Sequence, residues 1–193
     1  MEFLFVSRNT NKMREARAIL RRFGISLHAA KERKIEIQDE SLENIVRYAL
    51  SQIKPTPGKC FIIEDDGIFI SALNGFPGPY SAQVYSSIGL GGVLKLMENK
   101  VDRSASFKSA VGVLMPDGSS RVFTGVSKGS ISEGIAKGRA FGYDPIFVPE
   151  GSRKTFAEMS IAKKSKYSHR GKAFSKLGEF LKGTVLKCKR HPE

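Results

Sequence analysis

Cys60-Phe61-Ile62-Ile63-Glu64-Asp65-Asp66-Gly67-Ile68-Phe69-Ile70 sets three adjacent carboxylates between two short apolar runs. Such runs, rich in Ile and Phe and bounded by turn signals, read as buried strands, here near 60–64 and 68–72. Gly67 offers a break between them that would redirect one of the acids. Side chains alternate along a strand, so Asp65 points opposite to Glu64 and Asp66. Buried unpaired charges are costly, so carboxylates in such a place bind a cation or do chemistry. An exposed acidic turn is the plainer reading, and the flanking Ile and Phe argue against it. The chain as a whole carries a formal charge of +13. An acidic cluster within so basic a protein points to a metal ion that recruits a polyanionic substrate.

Outward from this stretch the chain alternates strands and helices. Residues 2–6 read as a first strand that runs straight into a polar turn, not as a signal peptide. Residues 10–23 read as a helix with Met13, Ala16, Leu20 and Phe23 on one face and Gly24 at its end. A second helix covers about 41–53, with Leu42, Ile45, Val46, Ala49 and Ile53 in register, and Pro55 and Pro57 stop it. Asn74-Gly75-Phe76-Pro77-Gly78-Pro79 reads as a loop, and 89–98 as a short helix. Strands near 104–115 and 120–127 flank Pro116-Asp117-Gly118, a hairpin signal. Thr155-Phe156-Ala157-Glu158 is a capping box, and Ser168 caps a last helix over about 169–182 that Gly183 ends. The order argues for an α/β protein with a mixed sheet.

A chain of 193 residues, 40% hydrophobic, builds a real core in one domain covering 1–193. No stretch approaches the length of a membrane span. Two cysteines, Cys60 and Cys188, make no disulfide framework and fit a reducing cytoplasm. From Ser152 to Glu193 there are 12 Lys or Arg against 3 acids. That excess reads as a solvated basic helix, a phosphate funnel or a nucleic-acid surface, and charge alone does not choose.

Four further segments carry chemistry. Ser7-Arg8-Asn9-Thr10-Asn11-Lys12 lies between strand and helix, where free backbone N–H groups, the helix dipole and the Lys12 ammonium make a phosphate cradle without the glycines of a P-loop. Glu36, in Ile35-Glu36-Ile37, faces away from its apolar neighbours if the segment is a strand, and gains interest if it meets the acidic cluster in space. Phe141-Gly142-Tyr143-Asp144-Pro145-Ile146-Phe147 offers a flat ring for a base and, in Asp144, an acceptor. Lys163-Lys164-Ser165-Lys166-Tyr167-Ser168-His169-Arg170-Gly171 is a dense set of donors at a helix start.

In this order and spacing the segments resemble the inosine triphosphate pyrophosphatase family over nearly the whole chain. Ser7 to Glu15 is similar to its S/T-x-N-x-x-K-x-x-E phosphate motif. Glu64-Asp65-Asp66-Gly67 with Gly78-Pro79-Tyr80-Ser81 resembles its E/D-D-S/T-G and P-G-x-Y-S/A pair, and the Phe141 and Ser168 segments resemble its purine-pocket signatures. The resemblance implies an elongated α/β fold of two lobes around a long mixed sheet, with the nucleotide in the cleft between them. It implies a cytoplasmic homodimer that uses Mg²⁺, or Mn²⁺ in its place, held by Glu36 and Asp65, with Asp65 as catalytic carboxylate and Asp66 as alternative base. Substrate contacts carried over are Ser7, Asn9, Thr10 and Lys12 for the phosphates, Phe141, Gly142 and Tyr143 around the purine, and Asp144, Lys164, Ser168, His169 and Arg170 around base and phosphates.

Three positions depart from that pattern. Asp66 stands where Ser or Thr is usual, Ala140 where Gly is common, and Tyr48 where relatives have a phosphate-binding Lys, for which Arg47 or Lys54 would substitute. The activity implied is hydrolysis of ITP, dITP and XTP to monophosphate and pyrophosphate, with no specific nucleic acid and no membrane as partner. The alternatives are a Maf-like pyrophosphatase for modified nucleotides and a basic nucleic-acid-binding module. The first fits the Phe141 and Ser168 segments poorly, and the second leaves the acids unexplained.

Overall fold

The computed structural model describes residues 1–138 and 141–190, with side chains described as far as residue 183. Ala140 and the side chain of Cys188, both singled out from the sequence, lie outside the described residues. The chain begins with β1 (Glu2–Phe5). It then enters α1 (Thr10–Leu20), where the Asn9 side chain accepts from the backbone N–H groups of Asn11 and Lys12 at 3.0 and 3.2 Å, a helix N-cap. The last turn of that helix tightens to 3₁₀ geometry over Arg21–Phe23, and Gly24 ends it with φ 73°. After β2 (Leu27–Ala29) comes α2 (Leu42–Ser51), capped by the Ser41 hydroxyl.

The stretch 60–70 is not two strands. It forms one twelve-residue strand, β3 (Lys59–Ile70), with no break at Gly67. Glycine is needed there for another reason. A Cβ at Gly67 would lie 2.2 Å from the Gly78 carbonyl oxygen, because β4 (Pro77–Gly78) presses its backbone onto β3. What reads as a loop over 74–79 therefore contains a short paired strand, with Gly78 opposite Ile68. Next is α3 (Ser81–Leu96), which starts earlier than the expected 89–98 and is kinked where Gly89 leaves helical geometry at φ 62°. The long hairpin β5 (Ser104–Leu114) and β6 (Ser120–Ile131) follows as expected, with β6 running four residues further. The chain closes with β7 (Phe147–Pro149), α4 (Ile161–Tyr167) and α5 (His169–Arg190). That last helix passes through Gly183 instead of ending there.

The strands form one mixed sheet in the order β2-β1-β3-β5-β6-β7, with β4 added on β3. The β1 pairs are parallel, and every other pair is antiparallel. Even-numbered residues at the start of β3, Cys60 and Ile62, pack with α1 and α5. Odd-numbered Phe61 and Ile63 pack on the other face with α2. A third cluster, with Ile68, Ile70, Phe107, Phe147 and Phe156, fills the far end of the sheet under α3.

One edge of β3 creates the site. Its ladder with β1 ends at Ile62, whose carbonyl accepts from Val6 N–H, and its ladder with β4 begins at Ile68. Between them residues 63–67 pair only with β5. The result is a gap in the sheet through which side chains from both faces reach one space. The glycine at 125 fixes a second wall. A Cβ there would lie 2.1 Å from the His169 carbonyl oxygen, so only glycine lets α5 start directly against β6. Among the described residues no helix is long and apolar enough to cross a membrane.

Candidate active site

A cleft of about 990 Å³ opens at this gap, and its walls carry most of the residues singled out from the sequence. Ser7, Asn9 and Lys12 line it from the turn into α1. Glu36, Asp65 and Asp66 line it as well, as do Phe141, Gly142, Tyr143 and Asp144. Lys164, His169 and Arg170 complete the set. Thr10 and Ser168 are absent from the wall. Thr10 opens α1, and the Ser168 hydroxyl accepts from Gly171 N–H at 2.9 Å as the cap of α5. Arg47 and Lys54, expected to replace a phosphate-binding lysine, are exposed and away from the cleft, as is Tyr48; Arg33 and Lys34 line it instead.

On the α1/α5 face of β3 the charges form a closed network. Arg170, 1% exposed, reaches three carboxylates: Nη1 bonds Glu15 Oε2 at 2.5 Å, Nε bonds Glu64 Oε1 at 2.8 Å, and Nη2 stands 3.1 Å from Asp66 Oδ2. Lys164 Nζ donates to Glu15 Oε1 and Asp144 Oδ2, both at 2.6 Å. Lys12 is ion-paired with Asp66 and lies 3.5 Å from Glu64 Oε2. Such charges are tolerated because each cation is shared among acids. Burial opposes the Glu15 charge, but Arg170 and Lys164 outweigh it and bring its pKa down to about 2. Burial likewise opposes ionisation of Asp66, which Lys12 and Arg170 overcome, holding it well below the usual range. For Asp144 burial wins over its one strong partner, Lys164, and its pKa rises to about 6.

Not every polar atom of this network is used within the protein. Glu64 Oε2, both ring nitrogens of His169 and Arg170 Nη2 are buried without a hydrogen bond. The His169 ring stacks on Phe107 at 4.5 Å and 8°, and its Nε2 lies 3.5 Å from Asp66 Oδ2. Burial lowers its pKa more than Asp66 raises it, so the ring is neutral at pH 7 and offers one donor and one acceptor. Buried polar groups lacking partners are where a ligand's polar edge belongs. Phe141 lies beside them, with Lys164 Nζ 5.3 Å and the Arg170 guanidinium carbon 5.8 Å from its ring centre. The Tyr143 hydroxyl is engaged, donating to the Ser81 carbonyl at 2.9 Å, which braces this segment on α3.

Asp65 points to the other face, as alternation along the strand requires. It meets Glu36, which comes from an irregular segment and not from a strand. One ammonium joins them: Lys34 Nζ is 2.7 Å from Glu36 Oε1 and 3.2 Å from Asp65 Oδ1, and donates to the Glu64 carbonyl at 3.2 Å. Burial raises the Asp65 pKa, against the pull of Lys34, which leaves it a better proton acceptor than an ordinary aspartate. Two carboxylates converging on one cation suit a hard divalent ion, which takes one or two protein carboxylates and completes its shell with water and phosphate oxygens. Among the described residues no group of three or more His, Cys, Asp or Glu is arranged to hold a metal ion, so an ion between Glu36 and Asp65 would need its other ligands from substrate and solvent.

The sequence reading missed Lys34 and Phe107 as wall residues. Lys34 reads as one more solvated lysine in a basic chain, and Phe107 as an ordinary core aromatic of β5.

Residues 3–180 match the family model described as the Ham1 family. The chain belongs to the Ham1 family. It is 48% identical over 182 residues to a dITP/XTP pyrophosphatase of Pyrococcus horikoshii, a match that covers 94% of this chain and 97% of that protein. It is 45% identical over 185 residues to a dITP/XTP pyrophosphatase of Methanopyrus kandleri, covering 96% and 98%. Among solved structures, a HAM1 protein from Coxiella burnetii superposes with a TM-score of 0.81 at 27% identity over 94% of this chain and 98% of that one. The Staphylococcus aureus Ham1 protein gives 0.79 at 28% identity, covering 95% and 100%. Membership in the Ham1 family sets aside a stand-alone nucleic-acid module and a Maf-like enzyme.

Proposed function

We propose that this protein hydrolyses non-standard purine nucleoside triphosphates, dITP, ITP and XTP, to the monophosphate and pyrophosphate. The names of its Ham1 relatives support this reading. The observation that carries it is a single cleft that gathers a phosphate cradle, the β3 carboxylates and an aromatic wall. Into it α1 presents the Asn9-capped turn and Lys12. Phe141 lines the same cleft beside Arg170, and the buried ring nitrogens of His169 make no hydrogen bond within the protein.

In this mechanism Lys12 and the start of α1 take the charge of the phosphates and of the departing pyrophosphate. Asp65 accepts the proton of the attacking water, a role its raised pKa suits. Asp66 is tied to Lys12 and Arg170 and orients Lys12, leaving Asp65 as the base. Glu36 and Asp65 would hold Mg²⁺, which when bound neutralises phosphate charge and makes the water a stronger nucleophile. Phe141 gives its face to the purine. His169 and Arg170 Nη2 meet the base's polar edge, where hypoxanthine and xanthine show an oxygen at C6 and adenine an amine. A donor facing an amine leaves both groups unpaired, which discriminates strongly. Lys164, expected to read the base directly, already serves Glu15 and Asp144 and contributes mainly by holding that wall.

The test is hydrolysis of ITP, dITP, XTP, GTP and ATP with Mg²⁺, scored for pyrophosphate against single phosphate. Fast pyrophosphate release from the first three supports the reading, and comparable ATP hydrolysis or release of single phosphate overturns it. A cytoplasmic location and a homodimer follow from the same family reading, and sedimentation equilibrium checks the second.

A further inference from the structure

The position of Lys34 gives it a part that neither the phosphate cradle nor the purine wall requires. Three oxygens from three residues lie within 3.2 Å of its ammonium: Glu36 Oε1, Asp65 Oδ1 and the Glu64 carbonyl. That carbonyl is the next one along the β3 edge after Ile62, just where the ladder with β1 stops. Lys34 thus caps a sheet edge left without a strand and at the same time bridges two carboxylates, whose combined charge it offsets only by half. Oxygen ligands around one positive centre are the environment of a hard divalent cation.

We infer that Lys34 is a place-holding cation: it occupies the position between Glu36 and Asp65 until a divalent ion displaces it. The inference rests on the reading of Glu36 and Asp65 as metal ligands. Ion binding is then an exchange of one cation for another. The Lys34 side chain is 12% exposed and Asp65 15%, but Glu36 is 55% exposed. An ion pair with so exposed a partner is weak, so the exchange is feasible. The contrast with Arg170 is direct, since a guanidinium 1% exposed and ion-paired with three acids has no way to leave. Two functions follow. Without metal, Lys34 keeps Asp65 and Glu36 from repelling each other. With metal, its ammonium is freed on the wall of the cleft that takes the triphosphate.

The experiment measures Mn²⁺ binding without nucleotide, by calorimetry or electron paramagnetic resonance. Lys34→Met keeps the length of the side chain and removes the charge, and is expected to tighten Mn²⁺ binding about tenfold. Arg33→Gln removes a charge from the same wall without touching the two acids, and is expected to change affinity less than about twofold. In the unaltered protein, amine acylation of Lys34 followed by mass spectrometry is expected to speed up when Mn²⁺ is added. Mn²⁺ that binds but leaves Lys34 acylation unchanged overturns the inference, as does Lys34→Met binding no tighter than Arg33→Gln. Glu36→Gln separates the two levels. If it abolishes Mn²⁺ binding while Lys34→Met changes nothing, only the place-holder fails. If neither substitution alters Mn²⁺ binding, the metal reading itself fails and takes the place-holder with it. Melting curves without metal establish that each variant folds.

Discussion

The two faces of β3 handle the same problem in opposite ways. On the α1/α5 face, Glu64 and Asp66 enter a network in which Arg170, Lys164 and Lys12 are each shared between acids, all of it buried or nearly so. On the other face Asp65 and Glu36 share one lysine, and Glu36 is open to water. A network of mutually satisfied charges resists rearrangement and is suited to holding a shape. A pair bridged by one ammonium, with Glu36 open to water, is easily remade and is suited to chemistry. Adjacent residues of one strand thus enter a closed network and an open pair, because alternation sends them to opposite sides.

Substitutions on each face test that division. Asp65→Asn should show the largest kinetic effect, lowering kcat with ITP and Mg²⁺ about 10³-fold while KM moves much less. Near-normal turnover would remove Asp65 from the chemistry. Arg170→Met should show the largest loss of stability, about 3–5 kcal/mol in denaturant unfolding, because it removes the cation shared by three acids at once. A loss no larger than that of Lys34→Met would erase the difference between the faces. Phe141→Ala should raise KM for ITP about tenfold with a smaller change in kcat, as expected for the loss of one stacked base. The smallest effect is one of pH. Glu15 is depressed to about 2 from an ordinary value of 4.5. Its contribution to stability is therefore complete above that ordinary value and drains away as pH falls towards 2. Glu15→Gln should flatten the acid limb of stability between those values, measured by urea unfolding. An unchanged limb would mean that Glu15 is not ionised within the network.

The alternation that divides the faces was legible in the sequence, since Glu64-Asp65-Asp66 between apolar runs fixes which acid points where once a strand is assumed. So were the helices beginning near residues 10 and 41, marked by their apolar period, and the long hairpin, marked by Pro116-Asp117-Gly118. Long-range close approach was not legible. Gly67 looks like a break but answers to Gly78, eleven residues on, and Gly183 looks like a stop although α5 continues through it. The three-residue strands β2 and β7 are too short for any period to show. Glu36 reaches Asp65 from an irregular segment, and no pattern in Lys34-Ile35-Glu36 distinguishes that arrangement from a solvated edge. The donors expected to face a base were half legible: Lys164 and Arg170 line the cleft, but most of their hydrogen-bonding capacity goes to Glu15, Glu64 and Asp144.

The place where β1 stops has a consequence for how the cleft can change. Its mouth is framed by backbone, from the Val6–Ile62 bond at one end to the Ile68–Gly78 pair at the other. The width of that aperture is therefore counted in whole residues and cannot be tuned by swapping side chains. Two more residues of extended chain after Val6 would carry the ladder to Glu64 and narrow the entrance, whatever amino acids they carried. The polar turn at Ser7 to Asn9 thus sets the gauge of the doorway as well as the start of a helix.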